Sequence, residues 1–348
     1  MKRAYTLGGI YFWIHFLLEV TSYYILTSVT HDPNVWILLL IYDFTAFVPQ
    51  GLFGYLRDLG IRINFAAIGT ALTTLALVLT AFDCNMFLTV TVLSIGNCLV
   101  HAHGAEITLR SSPGKITPGA TFVSGGSFGV VTGKLLSVSQ VHIAWVFGVA
   151  VLSFVLIFIA ERLKEPDGSD NLRLYRFDNP KLGTAAVIGL ALFAVAVRAF
   201  MGYGIPTSWN KTMLQTVVLF FFMGAGKLLG GVLTDAVGVR KTTVISTLGA
   251  VPFLLLGADM MYVSVIGVAI FNMTMAVTLA ILVSRMPNRP GVAFGITTIG
   301  LFMGTLPMFF FRISSALINS ILVILLSILC MVVLYAIGAK LKTQNNKE

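Results

Sequence analysis

A chain of 348 residues that is 57% hydrophobic and only 11% charged, with a mean hydropathy of +0.91, is excluded from the water-soluble globular class, in which about a quarter of residues carry charge. It reads as an all-α integral membrane protein. The formal charge of +9 then bears on orientation in the bilayer, and no nucleic-acid partner is expected.

Apolar stretches near the roughly 20 residues that cross the hydrocarbon core as a helix occur at 4–27, 33–55, 63–82, 86–108, 119–139, 142–161, 183–205, 212–233, 242–258, 260–283, 290–311 and 316–339. The first begins Met1-Lys2-Arg3 like a secretory leader. Its apolar run exceeds the usual core of about 7–15 residues and lacks a small-residue cleavage site, so it is expected to be retained. Of the 23 Lys and Arg, all but Lys134, Arg198, Lys211, Lys227 and Arg312 fall in loops on the side of the N-terminus. Cytoplasmic loops are the basic ones. This predicts a multi-pass protein of the cell inner (plasma) membrane with both termini cytoplasmic, and with Asp32, Asp83 and Asp259 in outer turns. Cys84, Cys98 and Cys330 have no metal or redox spacing and are expected to be small packing residues.

The chain is internally duplicated. Gly231-Val232-Leu233-Thr234-Asp235-Ala236-Val237-Gly238-Val239-Arg240-Lys241 lies between the eighth and ninth stretches, and a shortened copy, Gly54-Tyr55-Leu56-Arg57-Asp58-Leu59-Gly60-Ile61-Arg62, lies between the second and third. Asn97 pairs with Asn272, Pro118-Gly119 and Phe122 with Pro290-Gly291 and Phe294, and Gly129 and Gly133 with Gly300 and Gly304, at an offset that shrinks slowly along the chain. Internal repeats of this kind are common in transporters. They predict two halves, 1–161 and 183–348, joined by a polar cytoplasmic linker at 162–182 that contains Glu165-Pro166-Asp167-Gly168-Ser169-Asp170. No P-loop is present to hydrolyse ATP and no cofactor is expected. H-E-x-x-H is absent, five histidines are too few for a membrane di-iron centre, and no Ser or Cys nucleophile has a convincing partner. An enzyme is therefore not expected.

The G-x-L-x-D-x-x-G-x-R/K loop resembles the cytoplasmic loop motif of the major facilitator superfamily of transporters, and the likeness extends over nearly the whole chain. The resemblance implies twelve transmembrane helices in two six-helix bundles, a monomer in the lipid bilayer, and gradient-driven movement of a small molecule by alternating access. It also implies a cytoplasmic gate made of Asp58, Arg62, Asp235, Arg240 and Lys241. In that gate each Asp would bond to nearby basic groups and to the N-terminus of a helix of its own half, near Gly291 for Asp235 and near Gly119 for Asp58. Helix N-termini attract carboxylates, so the implication has a physical basis. The segment Val197-Arg198-Ala199-Phe200-Met201-Gly202-Tyr203-Gly204 is faintly similar to the seventh span of fosmidomycin-resistance-type exporters. The superfamily's Gly-Pro antiporter signature and its sugar- and peptide-porter signatures are absent.

Ionisable groups inside spans are costly and are functional candidates by default. At about 1.5 Å rise per residue, Glu19, Lys134 and Arg198 lie at a depth of roughly 22 Å from the cytoplasmic side, with Asp43 at about 20 Å. Arg198 and Lys134 are candidate ligands for an anionic group of a small organic anion, zwitterion or drug-like solute. Glu19 is a candidate proton carrier, and Asp43, His101 and Glu106 are further candidate substrate residues. A permanent salt bridge joining Glu19 or Asp43 to Lys134 or Arg198 is the structural alternative. His15 shares a helix face with Glu19, and His103 shares one with Glu106, whereas His101 and His103, about 200° apart, cannot both face one site on a regular helix. Convergence of His15, Glu19, His103 and Glu106 would serve either a proton relay built on His15, Glu19 and His103 or a divalent transition-metal site. The cations at Lys134 and Arg198 favour the proton relay. Glycines at 119, 125, 126, 129 and 133, and at 291, 295, 300 and 304, permit close helix contact, which fits rocking halves and static packing equally. Tyr23, Tyr24, Tyr203, Trp209 and Trp13 are candidates for the cavity or its mouth.

Overall fold

The computed structural model describes residues 2–112, 114–163, 182–311 and 313–338. The expected linker lies almost wholly outside the described residues, as do Arg312 and the C-terminal tail. The described chain is helical from end to end: α1 (Lys2–Ser28), α2 (Val35–Phe47), α3 (Gln50–Asp58), α4 (Phe65–Ala81), α5 (Met86–Arg110), α6 (Thr117–Val138), α7 (Ile143–Leu163), α8 (Thr184–Gly204), α9 (Met213–Val237), α10 (Val239–Thr247), α11 (Ala250–Leu256), α12 (Met261–Asn272), α13 (Thr274–Arg285), α14 (Pro290–Thr305) and α15 (Ala316–Ile337). Nine helical runs among the described residues are long and apolar enough to cross a membrane. Several of these are single spans with a kink. Pro49 breaks Val35–Asp58 into α2 and α3, as a proline that cannot continue the hydrogen-bond ladder must. Gly249 separates α10 from α11, and Met273 separates α12 from α13.

Local signals set the helix starts. Asn64 and Asn85 accept hydrogen bonds from the main-chain N–H of Ala67 and Leu88, while Thr212 and Gln215 form a reciprocal capping box at the start of α9. Such caps satisfy N–H groups that have no partner inside the helix. The many Thr and Ser hydroxyls inside apolar helices bond back to carbonyls three or four residues earlier, as Thr242, Thr243 and Thr247 do in α10. Their polarity is thereby hidden from lipid.

Packing follows the glycines. The most extensive helix contact is that of α1 with α6. A Cβ at Gly125, Gly129 or Gly133 would lie 2.3–2.4 Å from the carbonyl oxygens of Phe12, Phe16 and Val20, so this stripe seats the two backbones directly together. The contact lies within one half of the sequence, which makes static packing its role. Elsewhere α3 rests on α14, and α6 rests on α9. Both contacts join one half of the sequence to the other.

Candidate functional site

Two features face opposite ends of the helices: a shut layer at the end carrying Asp58 and Asp235, and a cavity open toward the other end, with a buried charged cluster between them.

The shut layer is built twice from the same device. A Cβ at Gly54 would fall 2.3 Å from the Gly291 carbonyl oxygen, and one at Gly231 would fall 2.5 Å from Ala120 Cβ and 3.1 Å from Thr117 Cα. Each glycine thus lets its helix touch a helix of the other half, and the Asp four residues on reaches that helix's first turn. Asp58 accepts from the N–H of Gly291 (3.0 Å) and Val292 (2.8 Å). Asp235 accepts from the N–H of Ile116 (2.9 Å) and Thr117 (3.0 Å), and from the Thr117 hydroxyl (2.5 Å). Gly60 and Gly238 then turn the chain at φ of +81° and +86°, a conformation glycine adopts without strain, although one residue separates Asp from Gly in the first copy and two in the second.

These contacts correct the expected pairing. Each Asp was expected to bond within its own half, but both cross to the other, because the glycine contact that sets the approach is itself between halves. The basic partners differ as well. Arg110 donates to Asp58 at 3.0 Å and also pairs with Glu106, which receives Arg57 at 3.1 Å. Arg240 instead donates to the Gly338 carbonyl at 2.7 Å and lies over the Tyr335 ring, and Lys241 is exposed, as is Arg62. Glu106 therefore belongs to the shut layer and not to a substrate site.

The interior cluster centres on Glu19, which is 6% exposed. Its Oε1 accepts from Asn97 Nδ2 at 2.9 Å and lies 3.7 Å from the Nε2 atoms of both His15 and His101. His15 Nδ1 lies 2.8 Å from the Phe122 carbonyl and His101 Nδ1 lies 3.0 Å from that of Asn97. Each Nδ1 must then carry a hydrogen, which leaves the two Nε2 atoms facing the carboxylate. The two Nε2 atoms each face the carboxylate oxygen across 3.7 Å, an arrangement in which a proton on any one of the three has an acceptor in the others. Gly126 makes the arrangement possible, since a Cβ there would sit 2.4 Å from His15 Nε2. Across the α6–α9 contact, Lys227 Nζ donates to Ser127 at 2.8 Å and lies in the field of Glu19 and Arg198. Arg198 is 8% exposed, and its Nε has no partner.

His103 does not join this cluster. Two residues beyond His101 on a regular helix, it points instead to α7, where Nε2 lies 3.2 Å from Glu161 Oε1. The expected set of His15, Glu19, His103 and Glu106 is thus dispersed over three places, and His101 takes the position assigned to His103. Among the described residues, His15, Glu19 and His101 are the group whose ligand atoms lie close enough to share an ion, within 4.8 Å. The neighbouring ammonium of Lys227 weighs against a dication there.

A cavity of about 700 Å³ opens toward the end opposite Asp58 and Asp235, lined by Tyr23, Trp36, Asp43, Lys134, Tyr203 and Phe310 among others. Lys134 lies over the Tyr23 and Phe220 rings, 5.4 Å from each centroid. No ion pair joins Lys134 or Arg198 to Glu19 or Asp43 among the described residues, so the expected permanent salt bridge is not formed. Tyr23 and Tyr203 line this cavity; Tyr24 bonds to the Val141 carbonyl, Trp209 is buried and Trp13 is exposed.

No protein-family model and no curated protein matches the sequence. A solved structure does match in shape: the fucose:proton symporter of E. coli superimposes with a TM-score of 0.57, covering 95% of this chain and 97% of that one at 16% identity. The chain has the major facilitator fold. Together with the nine membrane-length helices, that fold makes it a membrane protein. The major facilitator fold also accounts for the pairing of Gly54 with Gly291 and of Gly231 with Thr117, since these contacts lie where the two halves of the chain meet.

The shut layer yields a direct prediction. Asp58→Asn and Asp235→Asn each remove a carboxylate from a helix N-terminus, an interaction that contributes up to about 2 kcal/mol in partly buried settings. Spin labels placed on the loops before α4 and α10 are expected to show distance distributions broadening toward separated halves, most strongly in the double variant. Unchanged distances in the double variant would show that the carboxylates do not hold the layer shut.

Proposed function

We propose that this chain is a proton-coupled secondary transporter of a small solute bearing an anionic group, working by alternating access and not as an enzyme. The reading takes twelve spans in two six-helix bundles, 1–161 and 183–348. The nine long apolar helices are completed by α4, which is shorter, and by α1 and α6, whose polar and glycine content is what brings the interior cluster and the helix seam together. The shut layer is read as cytoplasmic, consistent with the basic loops on that side, in a monomer of the bacterial inner membrane. The molecule then faces outward, with the cavity at Asp43 and Lys134 as the entrance.

The observation that carries the reading is the charge balance of the interior. One buried carboxylate, Glu19, is surrounded by two histidine nitrogens and lies in the field of a half-buried cation, Lys227, which in turn lies in the field of the buried Arg198. Unpaired buried cations are costly, and an anionic solute group between Lys227 and Arg198 supplies the missing charge. A proton taken by the Glu19 cluster releases Lys227 from Glu19, so proton and anion enter together. The solved fucose:proton symporter of the same fold couples its solute to protons, and this supports the coupling half of the proposal. A divalent-metal cargo is not favoured beside these cations.

The test is proton uptake by purified protein in weakly buffered detergent on addition of lactate, benzoate, glutamate, glycine betaine and fucose in turn. Uptake on binding an anion, absent with fucose, is expected. Binding of an anion with no proton change would overturn the coupling, and proton uptake with fucose alone would overturn the anionic class.

A further inference from the structure

Two buried polar atoms next to the interior cluster have no partner and no role in what has been described: the Tyr11 hydroxyl and His103 Nδ1. Both side chains are completely buried. Tyr11 lies one helical turn from His15 on α1, and its ring centroid is 6.3 Å from that of His103. His103 in turn reaches Glu161 at 3.2 Å, and the Glu161 side chain is 24% exposed at the end of α7. The remaining charges near His103 are Arg57 on α3 and Glu106 on α5, which are paired with each other; α6 contributes no titratable group here.

A single apolar ring separates this lower set from the Glu19 cluster. Phe122 lies with its centroid 4.9 Å from His15, 6.2 Å from His101 and 6.3 Å from Tyr11. Gly104 makes room for it, since a Cβ there would meet Phe122 Cε2 at 2.8 Å and Tyr11 Cδ1 at 3.0 Å. Polar atoms thus lead from Glu19 toward the shut face with two interruptions, at the ring of Phe122 and between the Tyr11 hydroxyl and His103 Nδ1, which are not bonded to each other.

We propose that Tyr11, His103 and Glu161 form a proton exit inside one half of the molecule, separate from the solute path, with Phe122 as the plug between it and the Glu19 cluster. When the Phe122 ring turns aside, water admitted in its place carries a proton from His15 or Glu19 to the Tyr11 hydroxyl. A second water between Tyr11 and His103 passes the Tyr11 proton on to His103 Nδ1, and His103 gives up the Nε2 proton to Glu161. Each step moves one proton between lone pairs and nothing is oxidised. The solute, by contrast, must wait for the layer held by Asp58 and Asp235 to part. The route rests on the proton-coupled reading above.

The full chain reconstituted in liposomes containing a pH-sensitive dye, with the potential clamped and a pH step applied, tests the route. Phe122→Ala is expected to raise passive proton flux by about tenfold, because a side-chain-sized gap between polar groups fills with water. Adding His103→Phe, Glu161→Gln or Glu19→Gln should return the flux to that of the unaltered protein. Phe122→Leu, a smaller change to the packing, should give a smaller leak with the same dependence and serves if Phe122→Ala does not fold. Folded vesicles of both Phe122 variants as tight as the unaltered protein would overturn the proposal, as would a leak that survives His103→Phe and Glu161→Gln. A leak lost with His103→Phe but kept with Glu19→Gln would retain the exit and remove Glu19 from the coupling. The opposite pattern would retain Glu19 and remove the exit.

Discussion

Glu19→Gln is expected to abolish net uphill uptake of the solute while leaving exchange of labelled for unlabelled solute across the membrane. Glutamine keeps the shape and can still take the Asn97 amide as donor, but it carries no charge to gain or lose. The His15–His101 pair then has no carboxylate with which to share a proton, and Lys227 is permanently released from its acidic neighbour. The loaded carrier can still reorient, so exchange continues; with no proton to release, the variant mimics the protonated state and the empty carrier does not return, so net flux stops. The expected loss of net uptake is at least about 100-fold, the range in which a positioned proton-transfer group contributes. His15→Phe and His101→Phe should each have smaller effects, because the other ring remains. Net uptake at the normal rate in Glu19→Gln would remove this residue from the coupling. Loss of exchange as well would mean that Glu19 holds the solute itself.

The repeated loop motif was legible in the sequence because its chemistry is local: a glycine for approach, an acid one turn later and a glycine for the positive φ recur in both copies despite the deletion. Its partners were not legible. Assigning Asp235 to Gly291 and Asp58 to Gly119 requires knowing which faces meet, and the contact of Gly54 with Gly291 arises from packing between halves that no local pattern encodes. The interior cluster was legible in part for the same reason. His15 and Glu19 were joined by helical spacing alone, and the incompatibility of His101 with His103 was also readable. Which of the two histidines turns to Glu19 is decided by the rotation of α5 against α1, so His101 rather than His103 took the place. Asn97 entered only as a landmark of the repeat, although an amide deep in an apolar helix was signal enough for a hydrogen-bonding role. Lys227 was visible as a cation within a span, but its depth relative to Glu19 depended on a crossing of α6 and α9 that the sequence does not specify.

Lys227 carries the second large effect. Its ammonium is held by Ser127 alone among the hydrogen-bond partners seen, in the field of one acid and one further cation, so it is positioned to exchange an internal carboxylate for an external one. Lys227→Met retains most of the volume and removes the charge. Hydrogen bonds to charged groups contribute about 1.5–3 kcal/mol, and the anion that elicits proton uptake is therefore expected to bind about 10- to 150-fold more weakly. Lys227→Arg should recover part of the loss, since the charge returns with a different geometry. The double variant with Glu19→Gln separates two explanations. If anion and Glu19 compete for the same ammonium, Glu19→Gln alone will leave anion affinity unchanged or raise it, and will have no effect once Lys227 is gone. Effects that simply add would place the anion elsewhere, at Lys134 in the outer cavity, and would make Lys227 a structural partner of Ser127 at the seam between α6 and α9.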